Sequence, residues 1–244
     1  MHTLLKQRVI ELAQASPLEV CGFFYRDYSN QAQIHECRNV ASNPAEEFQI
    51  SDEQHIEVLG LGTPLGIWHS HPAGNHGPTS FSEADLECAE EQALPFYLYD
   101  VVGGGWHEFL PASWRPELLA QPFTLGWTDC YGLVRDYFRL TCRRYLSDYD
   151  RDESFSHEER GIIMANFERE GFQLGSLETL QVHDIMMFRT DRVLPQHFGV
   201  YVGQQRFLHH PLNALSREEL LTGRWLDRLV CVFRHRTLAE SGVT

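Results

Sequence analysis

Basic residues are scarce in the first half of this 244-residue chain: residues 1–112 hold 4 Lys+Arg against 16 Asp+Glu, whereas residues 113–244 are nearly balanced at 16 against 18. An acidic first half argues against nucleic-acid binding, since neutralising phosphates needs a basic face. A solvated acidic surface, with Asp52-Glu53 and Glu87 to Glu91 on outer helix faces, accounts for the charge more simply than a docking site for a basic partner. Close cysteine pairs are missing as well. The six cysteines, at 21, 37, 88, 130, 142 and 231, show no Cys-x-x-Cys and no framework spacing, which excludes a Cys-rich zinc module and a secreted disulfide scaffold and fits synthesis in a reducing compartment. No apolar run reaches membrane-spanning length, and Met1 to Leu12 lacks the apolar core of a signal peptide, so neither a membrane span nor export by a standard signal is expected. Internal repeats and low-complexity tracts are likewise absent.

What the chain does have is length for two modest domains, each with its own core. Pro111, Pro116 and Pro122 interrupt any regular element. They place a boundary near residues 111–121, between domains at 1–112 and 113–244. The expected class is α+β, built from two α/β-type domains.

The densest chemistry lies in Trp68-His69-Ser70-His71-Pro72 and Ser82-Glu83-Ala84-Asp85. Leu65-Gly66-Ile67-Trp68 reads as a buried strand, and residues two apart on a strand face the same way, so His69 and His71 aim at a common point. Ser82 reads as the N-cap of a helix running from Glu83 to about Gln92, with Asp85 in its first turn. Two imidazoles and a carboxylate suit a zinc ion that keeps a fourth position for water. Taken singly, Ser-x-x-Asp is also a plain capping box, and His-x-His occurs in many strands that hold no metal.

With Glu19 in Pro17-Leu18-Glu19-Val20-Cys21-Gly22 added, the set resembles the JAMM (MPN) metalloprotease signature, over about the first 110 residues. The resemblance implies a mixed sheet flanked by helices. It further implies Glu19 as general acid/base, His69, His71 and Asp85 as zinc ligands, and Ser82 as an aid to the tetrahedral intermediate. The segment between His71 and Ser82 is about three residues longer than the family's usual spacing; Gly74, Gly77 and Pro78 let a loop absorb the excess. His76 in that loop reads as idle.

The second half carries another set. Trp127-Thr128-Asp129-Cys130-Tyr131-Gly132 opens a helix whose apolar face runs through Leu133, Val134, Tyr137 and Phe138. A thiol in a first helical turn is placed where the dipole and free amides stabilise a thiolate. His197 to Gly203 alternates as a strand, turns at Gly203-Gln204-Gln205 and returns through Arg206-Phe207-Leu208-His209-His210, bringing His209 near His197. A thiolate, a histidine and an orienting polar group are the general form of cysteine nucleophilic catalysis; on base rates a lone helical Cys is a small core residue. Between these halves Ser156 reads as the N-cap of a scaffold helix burying Ile162, Ile163 and Phe167.

Asp129-Cys130-x-Gly132, His197-x-Gly199-x-Tyr201-x-Gly203 and His209 resemble the NlpC-type cell-wall cysteine peptidases. This implies a papain-like α+β domain with Cys130 as nucleophile, His197 as general base and His209 as the orienting residue. The strand Asp184 to Phe188 is preceded by His183 instead of the family's usual Gly, and Pro122 to Gly126 is short and lacks a Tyr. Oxyanion stabilisation would then fall mainly to backbone amides near Cys130.

A JAMM-like half followed by an NlpC-like half resembles, over nearly the whole chain, the tail assembly protein K family of lambda-like siphophages. Leu208-His209-His210-Pro211, Leu215-Ser216-Arg217 and Trp225 extend the resemblance to the C-terminal end. It implies a bifunctional tail-tip or tail-assembly peptidase made in the host cytoplasm and carried to the virion tail tip. Its substrate would be a peptidoglycan peptide or a tail protein, and its partners other tail-tip proteins. The rival expectation is a structural tail factor with one or both sites inactive. An isopeptidase acting on ubiquitin-like tails leaves Cys130 and His197 unexplained, and the His-x-Glu and paired-Cys pattern of zinc deaminases is missing.

Overall fold

The computed structural model describes residues 2–73, 80–151, 166–189 and 195–239. The chain forms two compact units, Met1–Arg115 and Pro116–Thr244, in a mixed α+β architecture.

In the first unit, helix α1 (Thr3–Ala15) precedes a hairpin of β1 (Cys21–Asp27) and β2 (Ala32–Cys37). The Asp27 carboxylate closes the turn by accepting the amides of Ser29 at 2.8 Å and Gln31 at 2.9 Å, and Asn30 takes the left-handed conformation there. After α2 (Asp52–Leu61), β3 (Gly62–His71) runs antiparallel to β1. Helix α3 (Glu83–Gln92) then leads to β4 (Phe96–Asp100), which lies parallel to β3, and β5 (Gly105–Phe109) closes the sheet. The order is β2-β1-β3-β4-β5. Cys21, Phe23, Ile67 and Phe96 form one core face with Val58 of α2 and Ala89 of α3. Strand alternation sends His69 and His71 to that same face and Trp68 to the other, where Trp68 meets Phe24. Gly22 pairs with Trp68 across the strands, and a Cβ there would strike the His35 carbonyl and come within 2.7 Å of the Trp68 ring; only glycine lets the indole lie flat on β1.

The second unit opens with α4 (Cys130–Tyr137), which continues as a π-helical turn, Phe138–Cys142. Strands β6 (Phe172–Leu174), β7 (Ile185–Arg189), β8 (Pro195–Gly203), β9 (Arg206–His209), β10 (Arg217–Leu220) and β11 (Leu229–His235) make an antiparallel sheet ordered β10-β9-β8-β7-β11-β6. The α4 side chains Tyr131, Leu133, Val134 and Tyr137 pack with Ile185, Met187, Phe198, Val200 and Leu208. The opposite parity of β7 to β9 packs Met186, Phe188 and Phe207 with Trp225 of the short helix α5 (Arg224–Arg228). Phe167 is fully buried in the α4 core; Ser156, Ile162 and Ile163 lie outside the described residues, as does His76.

Candidate metal and thiol sites

Glu19 stands just ahead of β1. Cys21 is opposite His69 in the antiparallel β1–β3 pair, so two residues back along β1 the register brings Glu19 abreast of His71. Its backbone is tied at both ends: the amide donates to the Pro44 carbonyl at 2.8 Å, and its carbonyl accepts from Asn39 Nδ2 at 3.0 Å. Ser70, between the two histidines, accepts the Val20 amide at 3.2 Å and fixes the start of β1 against β3.

Asp85 reaches the same spot from α3. A reciprocal capping box holds it: the Ser82 amide and hydroxyl donate to Asp85 Oδ2 at 2.7 and 2.8 Å, and the Asp85 amide donates to Ser82 Oγ at 3.2 Å. Capping leaves the carboxylate aimed at the histidines, with Oδ1 3.5 Å from His69 Nε2 and Oδ2 3.7 Å from His71 Nε2. Glu19 Oε1 lies 3.8 Å from His71 Nε2. One ligand atom from each of His69, His71 and Asp85 falls within 4.8 Å of the others, and all three residues are buried.

Burial pushes the Glu19 carboxyl up to about 7, opposed by His71. Burial acts the same way on Asp85, but the two imidazoles and the Ser82 backbone prevail and hold its carboxyl well below the usual range. Burial lowers the His69 imidazole against the pull of Asp85. Its ring stacks on Phe48, centroids 4.4 Å apart at 22°, and both its ring nitrogens are buried without a hydrogen-bond partner. Each orphaned polar atom in such a place costs about 1–3 kcal/mol. An imidazole left this way beside a second imidazole and an ionised carboxylate fits a bound divalent metal, and this nitrogen–nitrogen–oxygen donor set suits zinc with an open position.

In the second unit Asp129 caps α4, its Oδ1 accepting the Gly132 amide at 2.8 Å and its Oδ2 the Gly126 amide at 2.8 Å. Gly132 is required because a Cβ would run into the Trp127 carbonyl. Arg151 anchors the cap, bonding Asp129 at 2.7 Å, Asp148 at 2.7 Å and the Gly126 carbonyl at 3.1 Å. Cys130 is the first residue of the helix, as expected from sequence, but its electrostatics differ from the expectation of a stabilised thiolate. Burial, seconded by Asp129, pushes the thiol up to about 12, and the amides of Phe198 and Tyr131 together with Arg151 offset only part of that. The helix terminus is already neutralised by its own capping carboxylate.

His197 and His209 are buried and joined, Nε2 to Nδ1, at 2.9 Å. Burial lowers His197 to about 3 and His209 to about 4. His210 does not share in this: its Nε2 donates to the Ala214 carbonyl at 3.1 Å and its ring meets Phe123 edge-on. His197 precedes Phe198, whose amide faces the Cys130 sulfur. Phe48, Arg151 and Glu219 belong to these two surroundings without having been expected there, and Trp225, noted in the sequence only for the family likeness of the C-terminal end, covers the two histidines; only the alternation of Arg217 and Glu219 on a charged strand gives a local sign.

Residues 3–116 match the family of prokaryotic homologs of the JAB domain, and residues 120–234 match the NlpC/P60 family. The chain is 28% identical over 241 residues to tail tip assembly protein K of Escherichia phage N15, covering 95% of this chain and 96% of that one. It is 29% identical over 195 residues to tail tip assembly protein K of Escherichia phage lambda, covering 80% and 94%. Among solved structures, a lipoprotein-like NLP/P60 family protein of Staphylococcus aureus aligns with 77% of this chain and 50% of its own, at 15% identity and a TM-score of 0.35, a likeness too loose to carry detail. Two family models thus account for nearly the whole chain, a prokaryotic JAB-type domain followed by an NlpC/P60 domain, and in that order and extent the chain resembles the phage tail tip assembly protein K family.

Proposed function

We propose that the chain is a bifunctional tail-tip peptidase, with a zinc-dependent hydrolytic site in its first unit and a thiol site in its second. The carrying observation is the buried cluster of His69, His71 and Asp85 beside Glu19, with the nitrogens of His69 unpartnered. In this reading His69, His71 and Asp85 hold the metal. Zinc, when bound, supplies an acidified water and a polarised carbonyl. Glu19 holds or passes a proton at its carboxylate beside His71, and Ser82 assists at the reacting carbonyl oxygen while keeping Asp85 in place.

In the second unit Cys130 is the nucleophile, His197 takes its proton and His209 orients His197. With the thiol near 12 and both imidazoles neutral, proton transfer to His197 accompanies attack instead of preceding it. The substrate we favour is the peptide of peptidoglycan, met from outside by a virion tail tip as DNA passes into the host; a tail protein cut during assembly in the host cytoplasm is the alternative, and other tail-tip proteins are the partners.

A second reading, a structural tail factor with an inactive thiol site, draws on the same high thiol and on the missing Tyr upstream of Cys130. Mass spectrometry of muropeptides after incubation with purified cell wall separates the two. Peptidase activity predicts new fragments that vanish in part with His71→Ala and in part with Cys130→Ala. A fragment set unchanged in Cys130→Ala removes the thiol mechanism, one unchanged in His71→Ala removes the metal-dependent one, and no fragments from the wild type favour the structural reading.

A further inference from the structure

Glu219 lies on β10, which pairs with β9 so that Arg217 faces His209 and Glu219 faces Phe207. His209 is in turn opposite Gly199 of β8. Counting by twos, His197, His209, Arg217 and Glu219 share one face of the sheet. Glu219 Oε1 is 3.4 Å from His209 Nε2 and 2.7 Å from Arg217 Nε, and Oε2 accepts the Trp225 indole N–H at 2.6 Å. Arg224 approaches Oε2 at 4.0 Å. The Trp225 ring covers both histidines, its centroid 4.8 Å from His209 and 5.8 Å from His197.

We propose that Glu219 is a positioning residue that sets the tautomers of both histidines and so leaves Nδ1 of His197 bare as the basic nitrogen of the thiol site. This rests on the reading of Cys130 and His197 as a peptidase pair. The deduction follows the hydrogen-bond inventory. At 3.4 Å the contact is longer than a closed hydrogen bond, but an ionised carboxylate only accepts, so the Nε2 of His209 that faces it carries a proton. A neutral imidazole has a single N–H, so His209 Nδ1 is an acceptor and its partner at 2.9 Å, His197 Nε2, is the donor. His197 Nδ1 then has no proton and is free to take one. Burial keeps both rings neutral against the pull of Glu219, with His210 and Arg217 acting in the same sense as burial. Arg217 and Trp225 keep the carboxylate ionised and stationary.

The test is the ring-nitrogen state of the full chain labelled with ¹⁵N-histidine, read at pH 7 by two-bond ¹H–¹⁵N correlation and assigned with His197→Gln and His209→Gln. Both histidines should be Nε2–H tautomers in the wild type. Glu219→Gln, whose amide also donates, should shift His197 toward Nδ1–H and lower kcat for peptide release by about a hundredfold at unchanged KM, while Glu219→Asp retains the wild-type tautomers. A wild-type His197 protonated at Nδ1, or tautomers unchanged in Glu219→Gln, overturns the proposal. Nε2–H tautomers in a chain that releases no peptide would support the tautomer assignment and sink the peptidase reading; release from a chain with His197 protonated at Nδ1 would do the reverse.

Discussion

Acid should weaken the second unit through His197 and His209. Both are buried, and burial lowers them from 6.5 to about 3 and about 4. Below pH 6.5 the unfolded chain binds protons at these rings that the folded chain does not, so stability is full above 6.5 and is lost as pH falls toward 4. Each neutral ring costs about 1.4 kcal/mol per pH unit in that window. Between pH 7 and 5 this amounts to about 2 kcal/mol per histidine and roughly 4 kcal/mol for the pair, a large part of the 5–15 kcal/mol typical of a domain. Urea unfolding at pH 7, 6 and 5, followed by tryptophan fluorescence, reads it directly, because Trp225 packs on both rings. Asp85 and Glu19 also titrate, with opposite signs, so the comparison is with the His197→Gln, His209→Gln double variant, in which those groups are unchanged. The variant should lose most of the acid slope of the second unit. Equal slopes in variant and wild type would refute the reasoning.

Two further outcomes follow from the same contacts. Arg151→Met leaves the buried Asp129 without its cation and Asp148 with Arg135 alone, at 3.4 Å, and should cost about 3–5 kcal/mol, seen as a lowered melting temperature of the second unit; a loss under about 1 kcal/mol, the range of exposed pairs, would show that the network is solvated. Zinc at a hundred times its Kd should stabilise the first unit by about 2.7 kcal/mol, with the gain reversed by chelator and absent in His69→Ala; metal analysis giving no zinc in the wild-type chain would remove the site.

The features legible in the sequence are those written in short spacing. His69 and His71 share a face because a strand repeats every two residues, and Asp85 is held by a capping box spanning four. The β8–β9 return likewise follows from the turn at Gly203 to Gln205, so His209 meets His197 as expected from the order of residues alone. Glu219 was out of reach because its place depends on how Pro211 to Ser216 returns the chain to β9, a matter of register across a longer loop. Arg151 finds Asp129 from 22 positions away. The Cys130 thiol shows the deepest limit: its helix position is local, but desolvation is summed over the whole packed core, and it outweighs the helix terminus.

Fold stability by itself does not ask for the polar groups buried in these two units. His69 leaves two nitrogens unpartnered, and Glu19 and His71 sit beside it under equally little solvent. In the second unit a pair of imidazoles occupies strand positions flanked by Phe188 and Phe207, where apolar side chains would pack without any acid penalty. Each unsatisfied atom costs about 1–3 kcal/mol. Packing alone therefore gives no physical reason for the polar make-up of the first pocket. The proposed cation would supply one, since it would satisfy His69.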